Sequence, residues 1–279
     1  MPQPPPIHRI PRHPHAWAWV ALALHLVVAL AWWQLGWRWG LPLLLALHLA
    51  AVWGTLRPGS RLFGPVLRDF PAQGRDVWLT IDDGPSDDTA AILDLLDAHG
   101  ARATCFLGGE RARARPELVR EIVARGHDIG NHSHTHPQAR FWALGPRAMR
   151  NEIQDCQRTL VGITGTPPRW FRAVVGHANP FVHAPLRAAG LARLAWSARG
   201  YDAVESDPAR VTGRIARELA PGAIVLLHEG APHGRSVETM AAVLDELARQ
   251  GLRAVVPERQ QHEPAAAPVS AAGPPPASC

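Results

Sequence analysis

The feature that most constrains the fold is a regular alternation of short apolar runs with amphipathic stretches between residues 76 and 256. The apolar runs have the length of strands, and their spacing leaves room for one helix between each pair. About seven such repeats predict an α/β fold with a parallel sheet, open or closed into a barrel. The predicted strands cover residues 77–81, 103–107, 128–130, 170–172, 191–196, 223–227 and 253–256.

The amphipathic stretches carry helix boundary signals. Several begin at a proline, and four are followed by a glycine, which is the usual residue just after a helix C-terminus. The predicted helices cover residues 88–98, 116–125, 146–160, 180–189, 208–219 and 237–249, with stop signals at Gly100, Gly126, Gly190 and Gly251.

Two apolar stretches precede this region. Ala16–Leu35 is about as long as a membrane span, and residues 41–56 form a shorter second stretch. Tryptophans cluster at the ends of the first stretch, as in an aromatic belt at a membrane surface. A cleaved signal peptide or a buried soluble helix is the alternative, but a signal peptide has one short apolar core and a small-residue cleavage site. We therefore expect a transmembrane helical hairpin over residues 16–56.

The arginines near this hairpin predict its orientation. Two precede the first stretch, three follow the second and one lies between them: Arg9 and Arg12; Arg57, Arg61 and Arg68; Arg38. Because positive residues favour the cytoplasmic side, both ends of the hairpin and the catalytic domain are expected in the cytoplasm. If the short second stretch does not cross, the domain lies outside instead.

Composition sets the remaining boundaries and excludes one class of partner. Residues 1–15 and 258–279 are rich in proline and are predicted to be disordered, residues 57–75 form a linker, and residues 76–257 form the catalytic domain. All 29 basic residues are arginine, and the net charge is +5. No arginine-rich stripe interleaved with aromatic residues is present, so nucleic acid is not an expected partner.

Polar residues stand at the ends of three predicted strands. Asp82 and Asp83 end the first strand, His132 and His136 follow the third, and His228 ends the sixth. Polar residues at strand C-termini are typical of catalytic sites in α/β barrels. Two imidazoles and a carboxylate suit a divalent metal with open positions for water. Each group alone also fits a solvated turn or a polar loop.

Together these segments resemble the motifs of the polysaccharide deacetylases, the NodB-homology family also called carbohydrate esterase family 4. T-I-D-D-G-P at residues 80–85 resembles the family's T-F-D-D-G, H-S-H-T-H at 132–136 resembles H-[ST]-x-x-H, and L-L-H at 226–228 matches the fifth motif. F-R-A-V-V-G at 171–176 and the segment 196–202 occupy the places of the third and fourth motifs. The resemblance covers about residues 75–256 and implies a distorted (β/α) barrel of about seven strands.

The resemblance also implies a role for each matching residue. Asp83, His132 and His136 would hold the metal, which is usually zinc in the family. Asp82 would be the general base, and His228 the general acid.

Three further roles follow from the third and fourth motifs. Arg172 would orient Asp82, Asp202 would tune His228, and the backbone N–H of Val175 would help to bind the oxyanion. The family's proline and aromatic residues are replaced at positions 173–175 by Ala-Val-Val, so the resemblance implies an altered substrate groove. Arg199 and Ala203 also depart from the fourth motif, in which many relatives have Asp and Trp at these places.

The expected reaction is the hydrolysis of an N-acyl group, foremost N-acetyl, from an amino sugar of a polysaccharide, an oligosaccharide or a lipid-linked glycan. The membrane is an expected partner, and no obligate protein partner is expected. A deformylase or deacylase of a polyprenyl-phosphate-linked sugar is one alternative. A catalytically inactive barrel used for binding is another, although all six principal motif residues are intact.

Overall fold

A computed structural model of the chain describes residues 7–257, and its elements alternate as the sequence predicts. The strands are β1 Asp76–Gly84, β2 Ala103–Leu107, β3 Asp128–Asn131, β4 Trp170–Phe171, β5 Ala192–Arg193, β6 Ala198–Arg199, β7 Ile224–His228 and β8 Arg253–Ala254. The helices are α1 Ala16–Leu35, α2 Trp37–Leu56, α3 Thr89–Ala98, α4 Gly109–Ala114, α5 Pro116–Ala124, α6 Pro146–Thr164, α7 His183–Ala188, α8 Pro208–Glu218 and α9 Ser236–Arg249.

The strands form one parallel sheet in the order β5-β4-β3-β2-β1-β7-β6, and β8 pairs with the first two residues of β1. The sheet curls into a half-barrel, and β5 and β6 are its edges. The predicted parallel α/β fold with about seven strands is therefore confirmed. All strand C-termini meet at one end of this half-barrel, which is called the catalytic end below.

The predicted strand at residues 191–196 differs from the structure. Only Ala192–Arg193 pairs with β4, and a second short strand, Ala198–Arg199, pairs with β7 at the other edge. The chain crosses the open side of the half-barrel between them, so the predicted strand contributes only its first residues to one edge, and the other edge strand begins just after the run. A further difference is α4, which has only six residues and no apolar period from which it could be predicted.

The side chains of β1 alternate between two cores, as the period of two in a strand requires. Val77, Leu79 and Ile81 belong to the core between sheet and helices. Trp78 faces the inside of the half-barrel and packs edge-on against Trp170, with ring centroids 4.9 Å apart. Thr80 and Asp82 share the face of Trp78 and continue it toward the catalytic end.

The apolar N-terminal stretches form two helices of 20 residues each, α1 and α2. The second helix begins at Trp37 and not at residue 41, so only Gly36 separates the two. Gly36 has φ 79° and ψ 177°, a conformation essentially confined to glycine. At 1.5 Å per residue each helix is about 30 Å long, which equals the hydrocarbon thickness of a bilayer. Both helices are thus long and apolar enough to cross a membrane.

The two helices pack against each other as a hairpin. The rings of His25 and His48 meet edge-on with their centroids 5.5 Å apart. A Cβ at Gly40 would lie 2.6 Å from atoms of the Trp32 side chain, so the glycine allows close approach. The predicted helical hairpin is therefore present, with a tighter turn than expected.

Both segments that flank the hairpin pack on the domain. Ile7 is buried beside Trp78 and Trp170, although the sequence predicts disorder over residues 1–15. In the predicted linker, Val66 and Phe70 are buried. Residues 7–15 and 57–75 are therefore part of the folded domain and form part of the wall of the half-barrel. The predicted disorder of residues 1–6 and 258–279 lies outside the described residues.

Candidate active site

The site begins where β1 and β7 end side by side. Asp82 and His228 are direct register partners in these two parallel strands. Asp83 has a positive φ of 71°, and the register between β1 and β2 shifts at this point. Because of this irregularity the two adjacent aspartates meet different partners, as the sequence motif suggested.

Asp83, His132 and His136 converge at the catalytic end. One ligand atom from each residue lies within 4.8 Å of the other two. Asp83 Oδ1 is 2.9 Å from His136 Nε2 and 3.5 Å from His132 Nε2. His136 also has a positive φ of 52°, which turns its side chain back toward the strand end.

The donor set fits a divalent cation. Asp83 Oδ1 and His136 Nε2 are buried and lack hydrogen-bond geometry although they lie close together, as expected of atoms that share a third partner. His132 donates from Nδ1 to the Arg172 carbonyl at 2.9 Å, which leaves the Nε2 lone pair directed at Asp83. Burial would raise the pKa of Asp83, but the two imidazoles hold it well below its ordinary value.

Asp82 lies next to this cluster and is held by Arg172. Arg172 Nη1 donates to Asp82 Oδ1 at 2.7 Å and to Thr80 Oγ1 at 2.8 Å. Asp82 Oδ2 lies 3.8 Å from His132 Nε2 and accepts no bond from Arg172. One carboxylate oxygen is therefore fixed by the arginine, while the other faces the candidate ligands.

Arg172 is fully buried. Its guanidinium carbon lies 4.3 Å from the centroid of the Phe106 ring, and Nη2 donates to the Ala195 carbonyl at 3.0 Å. Burial lowers the pKa of Arg172, and the neighbouring Asp82 carboxylate partly restores it. A planar cation held on an aromatic face in this way can present one fixed nitrogen to Asp82.

His228 has its own carboxylate partner, Asp202. Its Nδ1 lies 3.0 Å from Asp202 Oδ1, and its backbone N–H donates to Asp202 Oδ2 at 2.6 Å. Burial would lower the pKa of His228, but Asp202, with Asp82 and Asp83 behind it, raises the pKa to about 9. At neutral pH this imidazole is therefore protonated. Nδ1 bonds to Asp202, which leaves the Nε2–H as the proton donor at the catalytic end.

The loop after β4 contains the substituted third motif. Ala173 and Val174 are buried, and only Val175 is exposed. Val175 has a φ of 54°, which is a genuine outlier for a β-branched residue. Of the three substituted positions, Val175 is thus the one that changes the accessible surface of the site.

Sequence reasoning missed a buried acid beside the site, Glu229. Its Oε2 accepts from Ser86 N at 3.2 Å, from Ser86 Oγ at 2.8 Å and from Thr89 Oγ1. A Cβ at Gly84 would overlap Glu229 Oε1, so only glycine fits there. This network ties the loop after Asp83 to the loop after His228. Its only sequence signal is the position of Glu229 directly after the motif.

Two other supporting groups were missed. Glu152 on α6 accepts from the backbone N–H groups of His134 and Thr135, both at 2.9 Å, and so anchors the loop between the two candidate ligands. His233 Nε2 donates to the Asp202 carbonyl at 2.7 Å. Both contacts join residues that are distant in the sequence, so no local sequence pattern predicts them.

Comparisons with known proteins agree with this architecture. A family model described as polysaccharide deacetylase matches residues 70–194. A chitooligosaccharide deacetylase of Bradyrhizobium sp. (strain ANU 289) is 33% identical over 67% of this chain and 85% of its own length. A peptidoglycan-N-acetylglucosamine deacetylase of Bacillus cereus is 31% identical over 69% of this chain and 91% of its own.

Solved structures agree as well. A family 4 carbohydrate esterase from Streptomyces lividans, in complex with acetate, superposes with a TM-score of 0.60 at 31% identity, covering 67% of this chain and 94% of that one. A pseudoenzyme of the same family from Bacillus anthracis superposes with a TM-score of 0.61 at 26% identity, covering 68% and 66%.

The fold and the site thus define a parallel α/β hydrolase with a histidine and carboxylate centre. The chain belongs to the polysaccharide deacetylases, carbohydrate esterase family 4. The resemblance drawn from the motifs is confirmed.

Proposed function

We propose that this chain is a membrane-anchored, metal-dependent deacetylase that hydrolyses the acetamido group of N-acetylglucosamine in a glycan. The observation that carries the proposal is the arrangement around Asp83, His132 and His136. Beside this cluster stand a carboxylate held by an arginine and an imidazole held by a carboxylate. Amide hydrolysis needs one group of each kind.

Asp82 acts as the general base in this proposal. Its free oxygen faces the candidate ligands, and Arg172 holds the other oxygen in place. As water adds to the acetyl carbon, one water proton passes to Asp82. Thr80 and Phe106 fix the arginine, so the carboxylate stays oriented throughout.

His228 acts as the general acid. The C–N bond breaks only if the leaving nitrogen gains a proton, because an amine is too basic to depart as an anion. His228 supplies that proton from Nε2, and Asp202 stabilises the imidazolium before transfer. The products are acetate and the free amino sugar.

The three candidate ligands would hold a divalent cation. Zinc is the first candidate, because one oxygen and two imidazole nitrogens suit that ion. When bound, such an ion supplies Lewis-acid polarisation of the acyl carbonyl and of the attacking water. The backbone N–H of Val175, in the loop that follows β4, would add a hydrogen bond to the developing oxyanion.

The substrate class rests on the relatives and on the hairpin. The relatives named above act on chitooligosaccharides and on peptidoglycan N-acetylglucosamine. Two helices long enough to span a bilayer favour a glycan met at the membrane, either lipid-linked or nascent. A formyl group on a polyprenyl-phosphate-linked sugar remains the second candidate, because the same site would cleave it and the hairpin suits it equally.

The test uses the purified full-length chain in lipid nanodiscs with chitopentaose. We expect release of acetate, loss of activity after removal of metal by a chelator, and recovery with Zn²⁺. His132→Ala should lose stoichiometric metal, and Asp82→Asn should keep the metal but lose roughly 10²–10⁴-fold in kcat. An exposed Asp245→Asn variant serves as a control.

Two outcomes separate the alternatives. If a formylated substrate is cleaved and the acetylated one is not, the deformylase is correct. If the wild-type chain binds Zn²⁺ and the glycan but releases no acid, the chain is an inactive barrel like the pseudoenzyme relative.

A further inference from the structure

The hairpin leaves the domain at one particular end of the half-barrel. The N-terminal flank starts at the opposite end, where Ile7 packs beside Trp78 and His8 Nε2 donates at 2.9 Å to the carbonyl of Arg169, just before β4. By Trp17 the chain has reached the loop after β4, where its ring meets Phe181 at 5.5 Å. This flank therefore runs along the domain from the strand N-termini to the catalytic end.

The second flank, residues 57–75, runs in the opposite direction, from the catalytic end to the strand N-termini. The Thr55 carbonyl accepts from Ala178 N at 3.0 Å, in the loop after β4, and a Cβ at Gly176 would lie 2.6 Å from Pro58. Farther on, Phe70 N donates to the Gly222 carbonyl below β7 at 3.0 Å, and β1 then begins. Both ends of the hairpin thus join the domain beside the loop that carries Val175.

Outside the hairpin and its two flanks, the exposed apolar side chains of the domain lie at this same end. Within residues 63–257, four large hydrophobic side chains are exposed: Trp142 (45%), Val175 (46%), Tyr201 (49%) and Val204 (82%). All four stand in loops that follow strands and precede helices, which are the loops of the catalytic end. Exposed apolar groups collected on one face of a soluble domain mark an interaction surface.

The loops that carry these side chains connect to the hairpin through packed neighbours. Asn179 Nδ2 donates to the Trp142 carbonyl at 3.2 Å, one residue after the contact with Thr55. On the other side, Gly176 packs against Trp196, and Arg199 bridges Trp196 and Tyr201 at 5.1 and 4.0 Å. The four exposed side chains, called the apolar rim below, therefore lie on loops that adjoin the base of the hairpin.

We propose that the catalytic end of the domain rests on the bilayer surface, with Trp142, Tyr201 and Val204 in the interfacial layer. This proposal rests on the proposed membrane anchoring. Tryptophan and tyrosine are the side chains that favour this interfacial layer. Because the hairpin leaves the domain beside the apolar rim, an inserted hairpin holds the rim against the membrane surface. A site that opens toward the headgroups accepts a glycan that the membrane itself presents.

The first test measures immersion depth by spin labelling. A nitroxide is attached at Val204→Cys or Trp142→Cys in full-length protein, in vesicles of three parts phosphatidylethanolamine to one part phosphatidylglycerol. Cys105 and Cys156 are buried, and Cys279→Ser removes the remaining thiol. The control label is at Ala248→Cys, in the last turn of α9 near the strand N-termini.

Labels at residues 142 and 204 should collide more with oxygen than with a water-soluble nickel chelate, and the label at 248 should show the reverse. Equal exposure of all three labels to the chelate would overturn the proposal.

The second test compares two substrates with the double variant Trp142→Ser/Val204→Ser. We expect kcat/KM for chitopentaose coupled to phosphatidylethanolamine in the same vesicles to fall by roughly 10-fold, which corresponds to about 1.4 kcal/mol of lost interfacial binding. Free chitopentaose should be cleaved at the wild-type rate. Equal loss on both substrates would mean that the rim binds sugar, and would contradict membrane docking.

The proposed function can fail separately. If the wild-type chain cleaves neither substrate while the labels at 142 and 204 lie in the lipid, membrane docking stands and the deacetylase proposal is wrong.

Discussion

Two pairs of opposite charge flank the candidate metal ligands. In the first pair a buried arginine holds the carboxylate of Asp82, and in the second the carboxylate of Asp202 holds His228. The guanidinium holds one oxygen of Asp82 in place, whereas Asp202 raises the pKa of His228 to about 9. Before reaction, the proposed base is therefore held in a fixed orientation, and the proposed acid carries the proton that its role requires.

Asp202→Asn tests the second pair. Without the carboxylate, burial is the dominant effect, and the pKa of His228 should fall from about 9. Because a general acid works only when protonated, activity is lost as the pH rises through this pKa. The alkaline limb of the pH–rate profile should therefore move to lower pH, and kcat at neutral pH should drop by roughly 10²-fold.

The control for this shift is the exposed Asp245→Asn, which should leave the limb in place. An Asp202→Asn enzyme with an unmoved alkaline limb would show that His228 is not the titrating acid.

Glu229→Gln tests a residue that does not face the substrate. Replacement of the carboxyl acceptor by an amide should weaken the bonds from Ser86 and Thr89 and loosen the loop after Asp83. We expect zinc affinity and kcat to fall by roughly 10-fold, the usual effect of changing a residue that supports ligands, with KM little altered. Isothermal titration with Zn²⁺ and steady-state kinetics measure both quantities.

The matched control is Glu238→Gln on α9, an exposed acid paired with Arg235. If Glu229→Gln lowers only the melting temperature and leaves zinc affinity unchanged, its role is in stability alone.

Most of the site residues could be predicted from the sequence because each stands at a strand C-terminus. Parallel strands bring these ends together, so Asp82, Asp83 and His228 had to be neighbours. Arg172 and Asp202 became visible only through the family resemblance. Glu229 pairs with Ser86, 143 residues away, and such a contact leaves no periodic trace in the sequence.

At the scale of elements, prediction worked where the pattern is local. The bounds of β2 and α1 agree with the apolar runs. It was wrong for residues 191–196, because the partner of a strand is set by the curl of the whole sheet. The start of α2 was also wrong, since Trp37, Arg38 and Trp39 look like a loop although they form the first turn of the helix.

The hairpin makes a prediction at this scale. A His25→Cys/His48→Cys pair should be joined by a short bifunctional thiol cross-linker, because the two rings meet across the helices with their centroids 5.5 Å apart. Protection of both thiols from a maleimide reagent measures this. The control pair, Leu26→Cys/His48→Cys, places one thiol on the outward face, where Leu26 is exposed. Equal protection of both pairs would contradict the packed hairpin.

For the whole molecule, the arginine distribution predicts a cytoplasmic catalytic domain. A reporter fused after Val256 should give cytosolic fluorescence and no alkaline phosphatase activity. The second helix has 20 residues, and its length therefore permits the two crossings that this topology needs. Strong phosphatase activity would overturn the cytoplasmic location and favour a finished surface polysaccharide as substrate.

The packing of residues 7–15 has a practical consequence. The hairpin interrupts the domain instead of preceding it, since the wall of the half-barrel contains chain from both sides of residues 16–56. A chain truncated to begin at residue 57 would lack Ile7, and the interior of the half-barrel beside Trp78 and Trp170 would be exposed to water. The better route to a water-soluble form is to excise the hairpin and rejoin His15 to Arg57 through a short flexible loop, because both ends meet the same loop after β4.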